Sequence, residues 1–193
     1  MKTFAKKPES LATVLLHGGV AVLPTDTLYG ICGSALAPKT VRRIYRLRKR
    51  NLKKPMIVLI SSLRDLAYFG VKPTRAQFAV LKKLWPGKVS IVLPVMSKRL
   101  EYLHRDKKSI AFRIPDDARL RAVLKKTGPL VAPTANWEGE RPAHTIAEAI
   151  RYFGEDVNCY VDGGRVESKP STLIGLDKDG TVAVLREGAV EIK

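Results

Sequence analysis

Acidic residues are scarce in this sequence. Eighteen Asp and Glu face 35 Lys and Arg, for a formal net charge of +17, and the isoelectric point is near 10.1. Such a surplus implies a polyanionic partner or an anionic substrate, although a host whose proteins all run basic would leave the same imprint. Cysteine is equally sparse. Cys32 and Cys159 lie far apart with no CxxC, which excludes a disulfide framework and a cysteine zinc site. The three histidines, His17, His104 and His144, share no ligand spacing, so no protein-held metal is expected. Neither G-x-x-x-x-G-K-[ST] nor G-x-G-x-x-G occurs, which removes the common phosphate-loop and dinucleotide fingerprints. No nucleophile stands beside an evident base, which argues against covalent catalysis. No apolar run approaches a membrane span, and a cytoplasmic location is expected.

What is present is enough for a core. The chain has 193 residues, 45% of them hydrophobic, which suits one domain over 1–193. Ser10 caps a short helix, Leu11 to His17, closed by Gly18-Gly19. Val20–Leu23 reads as a buried strand that Pro24 ends, opening a polar loop. Pro38 starts a second helix, with Val41, Ile44, Tyr45 and Leu47 as its apolar face. Strands are expected at Met56–Ile60, Val89–Val95, Ile110–Arg113, Leu130–Ala132 and Cys159–Val161. Helices are expected near Leu63–Phe69, Thr74–Trp85, from Asp116 or Asp117 to Lys126, and over Ile146–Phe153 behind Thr145. Two final strands, Ser171–Leu176 and Thr181–Leu185, flank the hairpin turn Asp177-Lys178-Asp179-Gly180. The basic stretch Ser97–Lys108 reads as a surface excursion. This alternation predicts an α/β fold around a mixed twisted sheet.

Four stretches carry chemistry: Pro24–Gly30, Arg48–Arg50 with Lys54-Pro55, Ala132–Asn136, and Lys169–Leu173. Each joins an element to a loop rich in hydroxyls or cations. Eight of the thirteen residues from Arg42 to Lys54 are Arg or Lys, a density that is costly unless anions neutralise it. Arg42, Arg43 and Arg46 fit a solvated helix face or RNA contact. Arg48, Arg50 and Lys54 fall at a helix-to-strand junction, where α/β ligands collect. Thr25, Asp26 and Thr27 follow a strand, and serve equally as ligand contacts or as a self-bonded turn. Thr134 and Asn136 suit a nucleotide or a local cap. Ser171 and Thr172 could simply begin a strand. Arg113 ends an apolar strand where a bare charge would be expensive, so it needs an anion or a carboxylate. Arg186 ends the last strand in the same way.

In order and character these stretches resemble the YrdC family of threonylcarbamoyl-adenylate synthases. The likeness runs from about Ser10 to about Val190. It rests on Pro24-Thr25-Asp26-Thr27-Leu28-Tyr29-Gly30, Trp85-Pro86-Gly87, Arg113-Ile114-Pro115, Pro170-Ser171-Thr172 and Arg186-Glu187-Gly188. The resemblance implies a single domain with a large twisted open mixed sheet and flanking helices, YrdC/RibB-like, over a positive cavity. It implies that L-threonine, bicarbonate and ATP, with Mg2+, give threonylcarbamoyl-AMP and pyrophosphate for tRNA modification. Thr27, Arg113 and Ser171 would then hold threonine. Arg50, Lys54, Ser109, Thr134, Asn136 and Arg186 would hold ATP, and Arg48, Arg50, Thr134 and Asn136 would be catalytic. Two departures stand out: Arg48-Lys49-Arg50 where the family often has Lys-x-Arg, and Thr134-Ala135-Asn136 where it often has Ser-x-Asn. Proteins that accept the labile product, and tRNA or double-stranded RNA, are the implied partners. A catalytically silent RNA-binding module and a carbamoyl-transfer relative are the alternatives. Some members carry a second C-terminal domain. This sequence ends at Lys193, just after the last expected strand, so none is expected.

Overall fold

The computed structural model describes residues 2–5 and 10–192. In chain order the elements are β1 (Lys2–Ala5), α1 (Leu11–Leu16), β2 (Ala21–Pro24), β3 (Tyr29–Ser34), α2 (Pro38–Leu47), β4 (Val58–Leu59), a 3-10 segment (Leu63–Phe69), α3 (Arg75–Leu84), β5 (Val89–Pro94), α4 (Glu101–His104), β6 (Ser109–Arg113), α5 (Ala118–Thr127), β7 (Leu130–Val131), α6 (Ile146–Phe153), β8 (Cys159–Asp162), β9 (Thr172–Leu176) and β10 (Val182–Arg186). The caps match the sequence. Ser10, Thr74, Asp117 and Thr145 each accept a backbone N–H of their helix's first turn, satisfying donors that the helix itself cannot.

The strands join one open, mixed sheet in the order β1-β8-β2-β3-β7-β4-β6-β5-β9-β10. Pairs β8/β2, β4/β6 and β5/β9 are parallel and the rest antiparallel. Side chains alternate between the two faces, and the core divides accordingly. Val22, Ile31, Val58 and Ile60 pack with Val41 and Ile44 of α2 and Leu81 of α3 on one face. Ala21, Leu23, Cys32, Leu59 and Leu130 pack with Val14 and Leu15 of α1 and Leu120 and Leu124 of α5 on the other. This second helix pair covers β8, β2, β3, β7 and β4. The same face of β6, β5, β9 and β10 lies beyond it.

Three local expectations differ from the structure. Strand β3 follows directly where the sequence suggested only a polar loop. Two glycines mask it, and one of them is required: a Cβ on Gly33 would sit 2.4 Å from Thr40 Cγ2 of α2. The stretch Ser97–Lys108 is more than an excursion, because Leu100, Leu103 and His104 are buried there. No sequence signal marked β1, which pairs antiparallel with β8. Among the described residues no helix is long and apolar enough to cross a membrane.

Candidate functional site

The uncovered part of the sheet face opens into a cavity of about 340 Å3. Strand register sets its floor. Ile91 pairs with Phe112, which puts Ser90 beside Arg113. Ser90 pairs with Leu173, and Leu173 with Arg186 across a bulge. Arg113, Ser90, Leu173 and Arg186 thus form one row over four strands, and all four line the cavity. The walls are the β2–β3 turn, the segment Arg48–Ile57 after α2, the Ala132–Thr134 segment after β7, and Pro170-Ser171 before β9. The first and third of these are bonded together. Gly30 bridges Thr134, Ile31 N–H donates to Pro133 O at 2.9 Å, and Ala135 N–H donates to Tyr29 O at 2.8 Å.

One end of the cavity is rich in hydroxyls. Arg113 Nη1 donates to Thr27 Oγ1 at 3.3 Å, and Ser171 Oγ lies 2.7 Å from Ser90 Oγ. Arg186 Nη2 donates to Ser171 O at 2.7 Å. Arg113 has the carboxylate its burial demanded. Its Nη2 is 2.9 Å from Asp26 Oδ1, an ion-pair contact out of line for a hydrogen bond, while Asp26 Oδ2 accepts the Asp116 N–H at 3.0 Å. Burial pushes the Asp26 carboxyl up and Arg113 opposes it. Burial likewise pulls the Arg113 guanidinium down and Asp26 opposes that. The turn also bonds itself, as the sequence allowed: Thr25 Oγ1 donates to Leu28 O at 2.7 Å and accepts from the Thr27 and Leu28 N–H groups. Tyr29 is a buried wall whose hydroxyl donates to Gly164 O and accepts the Gly163 N–H.

The other end is cationic. Arg48 follows the last residue of α2 and is 3% exposed. Its Nε donates to Asn136 O at 3.1 Å and its Nη2 to Thr134 Oγ1 at 3.1 Å and Asn136 Oδ1 at 3.0 Å. Among the described residues its Nη1 has no partner. Burial first, and then the neighbouring Arg50, pull its guanidinium down to about 10, so it stays charged near neutrality. Arg50 curls over its own loop and donates to Lys54 O and Pro55 O. Lys54 is exposed and pairs with Glu138 at 2.8 Å.

The structure therefore gathers Thr27, Arg48, Arg50, Arg113, Thr134, Ser171 and Arg186 around one cavity. Three expected residues do not line it. Asn136 Nδ2 donates to Trp137 O and Glu140 O, and its Oδ1 accepts from Thr134 Oγ1 and Arg48 Nη2, so it braces the loop. Lys54 stands outside against Glu138. Ser109 lies on the Ala111 and Arg113 face of β6, two residues short of the lining. Ser90 and Glu138 escaped the sequence reading. Ser90 looked like an ordinary strand residue, and its 1% exposure beside Ser171 is visible only in the fold.

Among the described residues, four arginines and no carboxylate line the cavity. Among the described residues, Arg113 alone of these four makes an ion pair with an acid; Glu138, outside the lining, partly offsets the charge of Arg48, and Arg186, half-buried, is pulled down by burial with no opposing acid. Uncompensated cations in a partly dry site select an anion, and guanidinium forks suit phosphate or carboxylate oxygens.

Known proteins are similar to this chain in sequence and in fold. The family Sua5_yciO_yrdC, described as "Telomere recombination", matches residues 13–188. The threonylcarbamoyl-AMP synthase of Marinobacter nauticus is 31% identical over 166 residues, covering 84% of this chain and 87% of that protein. The structure of YciO from E. coli superposes with a TM-score of 0.82 at 25% identity, covering 94% and 89% of the two chains. The P. abyssi Sua5 structure complexed with L-threonine superposes with a TM-score of 0.81 at 26% identity, covering 92% of this chain. This chain spans about half the length of that protein, 52%. The chain belongs to the Sua5/YciO/YrdC family.

Proposed function

We propose that this chain is an L-threonylcarbamoyladenylate synthase. It forms threonylcarbamoyl-AMP and pyrophosphate from L-threonine, bicarbonate and ATP, and its product serves the threonylcarbamoyladenosine modification of tRNA through acceptor proteins. The observation that carries this reading is the cavity lining, which among the described residues holds four arginines and no carboxylate beside the hydroxyls of Thr27, Ser90, Thr134 and Ser171. It is supported by family membership and by a relative complexed with L-threonine.

In this reading threonine takes the hydroxyl-rich end. Its carboxylate faces Arg113 and Arg186, and its polar groups meet Thr27 and Ser171. The triphosphate of ATP takes the end formed by Arg48, Arg50 and Thr134, where Arg50 faces the cavity and the buried Arg48 adds positive field behind Thr134. The threonine amine attacks the carbon of bicarbonate or CO2 and loses a proton, giving the carbamate, with water released when bicarbonate is used. A carbamate oxygen then attacks the α-phosphorus in line, and pyrophosphate leaves with the bonding pair. The protein's contribution is to position the reactants and to stabilise the negative charge of the triphosphate. Among the described residues no three His, Cys, Asp or Glu side chains cluster as metal ligands. Mg2+ would enter with ATP as part of the substrate and would help neutralise the phosphate charge.

The test is the product itself. With 13C-bicarbonate, the purified protein should yield a threonylcarbamoyl-AMP one mass unit heavier than with unlabelled bicarbonate. Its absence under conditions where ATP and threonine both bind would refute the reading. A second reading, an RNA-binding module without catalysis, is favoured by one feature. Lys39, Arg42, Arg46 and Lys49 are exposed at helical spacing along and just beyond α2, which has no acidic residue in it. RNA binding that weakens steeply with salt, with no ATP consumed, would favour it.

A further inference from the structure

Beside the cationic end of the cavity, outside its lining, an acid is held by a backbone N–H and an ammonium. Glu138 lies on the loop that follows Asn136. One carboxylate oxygen accepts the Asn51 N–H at 2.5 Å, and the other lies 2.8 Å from Lys54 Nζ. The Glu138 N–H in turn donates to Arg48 O at 2.8 Å. One residue thus ties both ends of the Arg48–Lys54 segment to the Trp137–Glu140 segment. Next to it, Lys49 Nζ sits 3.4 Å from the Trp137 ring centroid, a second contact between the same two segments. Arg50, which lines the cavity, lies between the two anchor points in sequence and contributes to the positive field on Glu138.

A backbone N–H and an ammonium converging on two carboxylate oxygens form an anion seat, and a phosphate presents the same pair of acceptors. The seat is wet enough to exchange. Glu138 is 23% exposed and Lys54 is 61% exposed, so the ion pair is a weak one. Arg48, by contrast, is sealed, and its bonds to Asn136 do not depend on the Glu138 carboxylate.

We propose that Glu138 is a resident anion that occupies a phosphate subsite made by Lys54 and the Asn51 N–H, and that the polyphosphate of the nucleotide displaces it on binding. This rests on the reading of the cavity as an ATP site. Displacement explains why Lys54 stands outside the cavity lining: its ammonium is turned to an internal carboxylate. It makes Glu138 a determinant of nucleotide affinity, since phosphate must compete with it. Removing the charge while keeping the shape removes the competitor.

The experiment measures binding of inorganic triphosphate, ATP and adenosine by calorimetry, without threonine, to the wild type and Glu138→Gln. The variant should bind triphosphate and ATP about two- to fivefold more tightly, the scale of an exposed ion pair, and adenosine unchanged. In a Lys54→Gln background, Glu138→Gln should give less than half that gain, because the seat is gone. Glu138→Ala should tighten triphosphate binding too, which guards against a disturbance specific to Gln. Equal or weaker triphosphate binding by both Glu138 variants would overturn the proposal and make Glu138 a brace for the loop. If the wild type makes pyrophosphate with threonine while these affinities do not move, the displacement idea alone falls. If neither protein binds ATP or triphosphate, both this proposal and the nucleotide reading fall.

Discussion

Arg113 and Asp26 form an ion pair inside the protein, Nη2 to Oδ1 2.9 Å, with side chains 4% and 2% exposed. It joins the end of β6 to the β2–β3 turn, so one contact both neutralises a buried charge and shapes the hydroxyl-rich end of the cavity. Asp26→Asn leaves Arg113 charged in a dry site, and should lower unfolding stability by about 3–5 kcal/mol. Urea denaturation checks this. Adding Arg113→Met to Asp26→Asn should recover part of that stability and none of the activity. A fully active, fully stable Asp26→Asn would mean that the pair matters to neither.

Arg50 spends its guanidinium only on carbonyls of its own loop, so its removal should spare the fold. Arg50→Ala should cut pyrophosphate release by about 10²-fold or more, as loss of a transition-state charge partner does. Its thermal midpoint should stay close to wild type. An unchanged rate would remove Arg50 from the proposed mechanism.

Arg48 predicts the opposite division. Its three bonds hold Thr134 and Asn136, so Arg48→Ala strands buried acceptors, at about 1–3 kcal/mol of stability. Arg48→Lys keeps the charge but cannot reproduce the planar fork. It should lie between Arg48→Ala and wild type in both urea midpoint and pyrophosphate release. Arg48→Lys matching wild type in both would show that the fork is dispensable.

Ser90 lines the cavity floor and bonds Ser171, whose hydroxyl lies 2.7 Å from its own. Ser90→Ala should raise the KM for threonine about three- to tenfold, the scale of one hydrogen bond, and leave the KM for ATP unchanged. Gly188 acts on the same segment by contact. A Cβ there would meet Pro170 O at 2.3 Å and Thr172 N at 2.5 Å, backbone that cannot swing aside. Gly188→Ala should therefore cost about 1–3 kcal/mol and weaken threonine binding as Ser171 shifts.

The Glu138 carboxyl gives a pH signature. The Asn51 N–H first, then Lys54, hold it below its ordinary 4.5. An acid depressed in the fold adds stability above its unfolded value and loses it as pH falls through the folded one. The stability difference between wild type and Glu138→Gln should be flat near neutrality and disappear below 4.5. A difference that grows on acidification would assign the opposite sign to this contact.

Much of the fold was legible because caps, prolines and apolar periods are local signals. Ser10, Pro38, Thr74 and Thr145 start their helices where the sequence places them. Strand β3 was not legible, because Gly30 and Gly33 look like turn residues, although Gly33 is there for the close approach of α2. At the site, the need of Arg113 for a counter-charge followed from burial alone, and its partner came from a motif noted separately. The Ser90–Ser171 contact and the Glu138–Lys54 pair join residues 81 and 84 positions apart. Nothing local marks either, since both depend on which strands and loops the sheet order brings together.

The most direct test of the whole account is pyrophosphate release from Mg-ATP by the purified protein in bicarbonate, with and without L-threonine. The account predicts release that depends on threonine and saturates with it. Release that ignores threonine, or no release while ATP and threonine both bind, would contradict it.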